Sequence, residues 1–153
     1  MADFLEGKAV RKITTGLAVE RAAALPPQGA REDIFTITGG RVLLKQIIGE
    51  VTTAVGNVAN ATKLEFNPSD AARGDMSDTV DIDNDAVGTI YGITGTAATA
   101  MVKATNVLVA QAAAQILKPG VIELNCAGAS VTGAIKWTVV YVPIDDGAYV
   151  ETA

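Results

Sequence analysis

The chain has 153 residues, one cysteine, one tryptophan and no histidine, with 12 basic and 17 acidic side chains and a formal charge of −5. That length fits one domain, and 49% hydrophobic against 19% charged residues is enough to fill a core. Missing histidine removes the commonest general base and zinc ligand, and a lone cysteine removes intrachain disulfides and cysteine-held metal clusters. The acidic balance argues against a nucleic-acid binder.

In chain order, Met1 to Lys8 places acids where a secretory signal needs a positive stretch, and no apolar run follows. Synthesis in the cytoplasm is the expectation. Residues 1–30 hold Lys8, Arg11, Lys12 and Arg21 and end at Pro26-Pro27-Gln28-Gly29, where consecutive prolines remove amide donors. Leu17 to Leu25 fits a short helix or an extended arm held against a partner chain. The organisation expected is an N-terminal arm over 1–30 and a β domain over 31–153.

From Ile34 the pattern is β. Ile34-Phe35-Thr36-Ile37-Thr38 is β-branched and aromatic and stops at Gly39-Gly40. Arg41 to Val55 continues in the same composition, punctuated by Gly49. Lys63-Leu64-Glu65-Phe66 alternates up to the turn cluster Asn67-Pro68-Ser69-Asp70. Thr79 to Asp83 alternates again, and Ile90, Tyr91 and Ile93 follow between Thr89 and Thr94. Pro119-Gly120 opens Val121 to Cys126, with Ile122, Leu124 and Cys126 on one face. In Ala134 to Val142, Ile135, Trp137, Val139 and Tyr141 share a face, so nine residues at period two predict a strand. Pro143 and Asp145-Asp146-Gly147 end it. Short strands separated by turns predict an all-β sandwich or barrel.

Ala104 to Leu117 divides the signals. Its Ala/Gln run and the Pro119-Gly120 stop favour a helix, whereas Val107-Leu108-Val109 favours a strand. Ala97 to Leu117, the most apolar stretch, is broken by Lys103, Asn106, Gln111 and Gln115, so no membrane span is expected.

No constellation of residues predicts catalysis, a metal or a cofactor. Asp81-Ile82-Asp83-Asn84-Asp85 offers alternating carboxylates, but Ala86 and Gly92 stand where a calcium loop needs Gly and Glu, so a solvated edge or turn is expected. Asp145-Asp146 would point to opposite faces of a strand, a poor acid/base pair. Ser69, Ser77 and Ser130 have no histidine to activate them. Arg73-Gly74-Asp75 matches an adhesion tripeptide and reads as a turn. Asn60-Ala61-Thr62 matches a glycosylation sequon by chance. The glycines of Gly92-Ile93-Thr94-Gly95 and of Gly128 to Gly133 make no phosphate-binding motif. Cys126 and Trp137 are expected in the core. The low charge and small-residue richness suggest surface buried in an assembly.

Several phrases resemble small structural proteins of tailed bacteriophages: Ala24-Leu25-Pro26-Pro27-Gln28, Ile34 to Val42, Gly49 to Ala54, Gly120 to Leu124, Gly133 to Trp137 and Tyr141 to Ile144, over roughly residues 24–150. The resemblance implies a capsid decoration, or cement, protein: an all-β, jelly-roll-like β-sandwich with an extended N-terminal arm, forming a homotrimer. Its implied partner is the major capsid protein, on the outer capsid surface of the virion, where it bridges subunits without enzymatic activity. No catalytic, cofactor or metal residue is carried over. The competing readings are a tail, baseplate or fibre component and a carbohydrate-binding β-sandwich module.

Overall fold

The computed structural model describes residues 6–153. Among the described residues, twelve strands and one helix make two antiparallel sheets facing each other, an all-β sandwich. The helix α1 (Gly7–Thr15) precedes β1 (Leu17–Ala24). Next come β2 (Arg31–Thr38), β3 (Val42–Thr53), β4 (Ala61–Pro68) and the two-residue strands β5 (Gly74–Asp75) and β6 (Val80–Asp81). Short strands β7 (Ile90–Gly92), β8 (Val102–Ala104) and β9 (Gln115–Leu117) lead to β10 (Gly120–Cys126), β11 (Ala134–Pro143) and β12 (Tyr149–Thr152). The first sheet runs β1-β11-β3-β7-β8, with β9 also on β3. The second runs β12-β2-β10-β4-β5, with β6 also on β4.

The strongest patterns in the chain became the central strands. Along β11 every second residue is buried: Ile135, Trp137, Val139 and Tyr141. They meet Phe35, Ile37, Leu64, Ile122 and Leu124 of the opposite sheet in one core, as the period-two reading predicts. Cys126 and Trp137 are both buried. Gly49 sits opposite Trp137 on one side and Tyr91 on the other. The two rings stack across it with centroids 6.3 Å apart and planes at 25°. A methyl group at residue 49 would lie 2.8 Å from two Trp137 ring carbons, so only glycine fits beneath the ring.

Three local expectations change. Leu17 to Leu25 is not a helix: residues 17–24 form β1, an edge strand of the same sandwich paired to β11 from Leu17↔Tyr141 to Ala24↔Ile135. The alternation over Thr79 to Asp83 yields only the two residues of β6. Ala104 to Leu117 is neither one helix nor one strand: it leaves β8 at Ala104, crosses as a loop and enters β9 at Gln115. Its alanines favour a helix, but a lone helix of that length is marginal in water. Pairing of Gln115–Leu117 with Val42–Leu44, with Leu117 buried, holds the end of the segment in the sheet instead. Met1 to Leu5, the start of the expected arm, lie outside the described residues.

Candidate functional site

Three surfaces gather the residues that the sequence singled out. The first is the outer face of the second sheet. Register places Asp33 (β2), Glu123 (β10), Glu65 (β4) and Asp75 (β5) side by side in one row across four strands. Glu65 and Glu123 are only 2% and 3% exposed. Bare, that row would repel itself, so cations interleave it. The Arg31 Nε donates to Glu65 at 2.6 Å, Lys63 lies 3.2 Å from Glu65 and 2.6 Å from Asp75, and Arg73 clamps Glu123 through both Nε and Nη2. Asn125 and Asn67 donate to Glu65 and Glu123 at 3.1 and 3.2 Å. Burial pushes the Glu65 carboxyl up, but hydrogen bonds from Arg31, Lys63 and Asn125 outweigh it and hold the group at about 2. Glu65 is thus no proton donor near neutrality. Arg73 and Asp75 of the adhesion-like tripeptide spend their charges here.

The second surface is the acidic turn after β6. Asp81 Oδ1 accepts the amides of Asn60 (2.9 Å) and Asp83 (3.0 Å). Asp85 accepts the Tyr91 hydroxyl at 2.6 Å and Lys103 Nζ at 2.9 Å. Burial, then the bond to Asp85, pushes the Tyr91 phenol above its ordinary range. These carboxylates tie a turn to the core. The remaining single-residue candidates are structural as well. Asp145 binds the Arg41 amide and guanidinium at 2.6–2.9 Å, and that bond holds its carboxyl down at about 2. Ser77 Oγ accepts the Leu64 amide, Ser69 donates to the Pro119 carbonyl, and buried Ser130 accepts from Asn60. Asn60 of the sequon is itself fully buried, its Oδ1 accepting the Gly128 amide at 2.9 Å. Burial pushes the Cys126 thiol up to about 11.

The third surface escaped the sequence reading. The loop between β8 and β9 lies over the outer face of the first sheet. Leu108 packs onto the Gly92 backbone, the Gln111 amide donates to Gln46 Oε1 at 2.7 Å, and the Ala113 amide donates to Thr94 O at 3.1 Å. With Leu108 turned in, Val107 and Val109 point out at 79% and 83% exposure, and Ile116 of β9 is 65% exposed. A cleft of about 310 Å³ opens beside Leu108 and Ile48. Another of about 260 Å³ lies between β9 and β4, floored by Phe66, Met76 and Leu117. The available signal was the apolar triplet Val107-Leu108-Val109, which does not by itself say whether the leucine or the two valines face inward.

Comparison with known proteins yields no relative: no family model, curated protein or solved structure matches the chain.

Proposed function

We propose that this chain is a non-enzymatic decoration protein of tailed-bacteriophage heads, a jelly-roll-like sandwich that seats on the outer shell and bridges capsid subunits. The observation that carries the proposal is the exposure of large apolar side chains on the first sheet: Val107 and Val109, held in water on a loop pinned by Leu108 and Gln111, and Ile116 on β9. Exposed aliphatics flanked by shallow apolar clefts mark protein contact surfaces. The charged side chains that would otherwise suggest chemistry are engaged within the fold, as the Glu65–Glu123 face illustrates.

The jelly-roll reading draws support from the pairing order. Early strands pair with late ones, β1 with β11, β2 with β10, β3 with β9 and β4 with β5. This is the pattern made by folding a chain into one long hairpin and rolling it into two sheets. For the arm, α1 precedes edge strand β1. The carbohydrate-binding alternative expects an exposed aromatic platform. Trp137, Tyr91, Phe35 and Tyr141 are instead buried, while Tyr149 is 43% exposed.

Cement action would be mass action. A protein bound across subunit junctions favours the closed shell, and a trimer spanning several junctions adds multivalency. The test mixes the purified chain with undecorated, DNA-filled heads. Expected results are saturable binding, DNA release at higher temperature, and weaker binding by Val107→Asp/Val109→Asp with unchanged folding. Equal heat stability with and without the protein would sink the proposal, and binding to host cells in place of heads would move it to a fibre.

A further inference from the structure

Eight of the basic residues are ion-paired within the sandwich: Arg21, Arg31, Arg41, Lys63, Arg73, Lys103, Lys118 and Lys136. The four others, Lys8, Arg11, Lys12 and Lys45, have no carboxylate at ion-pairing distance among the described residues, and all four sit together. Lys8, Arg11 and Lys12 are spaced i, i+3 and i+4 on α1, so they share one helix face. Lys45 reaches from β3 to the Thr15 carbonyl (3.3 Å) at the end of that helix. Gly16 (φ +99°) then turns the chain into β1, where a Cβ would lie 2.7 Å from Tyr141 O. The helix is thus anchored at its C-terminal end and otherwise exposed along its basic side.

An opposite patch lies at the far end of the sandwich. Leu17↔Tyr141 places α1 at the end where β3 begins and β11 finishes. Ala61↔Asp81 places the acidic turn at the end where β4 begins, and the β3–β4 connection puts these two ends on opposite sides. Within six residues there, Asp78, Asp81 and Asp83 have no cation at ion-pairing distance among the described residues; Lys103, the nearest cation, pairs with Asp85 and reaches only the Asp81 carbonyl (2.7 Å). Gly7–Thr15 holds three of the 12 basic residues and none of the 17 acidic ones, leaving nine against seventeen, a net −8, on the rest. A body so charged repels nucleic acid and attracts its own basic helix on another copy.

We propose that α1 of one copy docks through Lys8, Arg11 and Lys12 on the Asp78–Asp83 turn of a second copy, a head-to-tail contact. Such a contact is heterologous, so it closes into a ring or continues as a filament according to its rotation. The inference stands apart from the capsid proposal, because it concerns the isolated chain.

Sedimentation velocity of the full chain tests it. The chain should associate at about 0.05 M salt and dissociate at about 0.5 M, where charges are screened within a few ångströms. Lys8→Glu/Arg11→Glu/Lys12→Glu should bind itself at least about tenfold more weakly, and Asp78→Lys/Asp83→Lys should do the same. Mixed one to one, the two variants should recover association through their exchanged charges. Asp78→Asn/Asp83→Asn, which preserves side-chain shape, should also weaken association with folding unchanged, and full association in that variant would count against the proposal. A wild-type monomer at low salt, unaltered association in both reversed variants, or no recovery on mixing would overturn the proposal. So would capture of duplex DNA by the helix with no effect of the helix variant on self-association.

Discussion

Replacing Gly49 by alanine tests the packing that fixes the centre of the sandwich. The added Cβ would stand 2.8 Å from Trp137 Cη2 and Cζ3, and 3.1 Å from Cε3. Carbon contacts are optimal near 3.5–4.0 Å, so strand or ring must move by several tenths of an ångström. Trp137 is 1% exposed and stacked on Tyr91, so the ring cannot swing outward without opening the core. Overpacking of this kind costs about 1–3 kcal/mol, and a disturbed aromatic stack adds about 0.5–1.5. Against this, alanine saves about 0.5–1 kcal/mol of unfolded-chain entropy. The net loss is about 0.5–4 kcal/mol, centred near 2, and at that centre roughly 4–8 °C in Tm for a chain of this size.

Urea unfolding followed through Trp137, the sole tryptophan, reads the effect directly. The midpoint should fall with an unchanged slope. Gly74→Ala is the control: nothing lies within 4 Å of its added carbon, so it should stay within about 0.5 kcal/mol of wild type. In a Trp137→Phe background the smaller ring relieves the clash, and calorimetry should show Gly49→Ala costing less there. Equal midpoints for wild type and Gly49→Ala, or an equal cost in both backgrounds, would refute the reasoning.

The pH dependence follows from Glu65 and Asp145, whose carboxyls sit at about 2 in the folded chain. A folded value below the unfolded one contributes stability that is fully present above about pH 4.5 and is lost as pH falls toward 2. Tm should decline across that window, and Glu65→Gln should flatten part of the slope while lowering Tm at pH 7. Asp85→Ala leaves the buried Tyr91 hydroxyl unpaired and should cost about 1–3 kcal/mol, more than Tyr91→Phe, as a double-mutant cycle by thermal unfolding would show. Cys126, buried with its thiol at about 11, should react with a disulfide reagent at pH 8 only as fast as the chain opens. Rapid labelling of the native chain would contradict that burial.

The sequence revealed the centre of this fold better than its edges, for a physical reason. β11 is buried on one face and paired on both sides, so its burial alternates from Ile135 to Tyr141, and β10 puts Ile122, Leu124 and Cys126 on its core face. Edge strands obey weaker constraints. β1 reads LAVERAAA, and its small residues fit a helix as well as a strand; pairing to β11 decides. β5, β6 and β9 are two or three residues long, below any period that a sequence can display. The 104–117 segment misled through its alanines, because the contacts that shape it come from Gly92, Gln46 and Thr94, at least ten residues away. Glu65 and Glu123 were invisible as a pair, since a separation of 58 positions hides a direct cross-strand neighbourhood.

That hidden pair also bears on how function distributes over the molecule. Two carboxylates side by side at 2–3% exposure would form a chemical site if one were protonated or free. Here Arg31, Lys63 and Arg73 neutralise them. The network ties β2, β10, β4 and β5 into a stiff sheet. Stiffness matters to the opposite sheet, because a crest of exposed valines binds well only if little order remains to be lost on contact. Leu108 seated on Gly92 and Gln111 fixed to Gln46 supply the same preorganisation at the loop itself. Leu108→Ala should therefore weaken any contact made through Val107 and Val109 more than its small loss of buried area predicts. Faster amide exchange confined to the β8–β9 loop would report the loosening independently. If exchange in that loop rises while binding is unchanged, the valines act through their own area and the anchor contributes nothing to the contact.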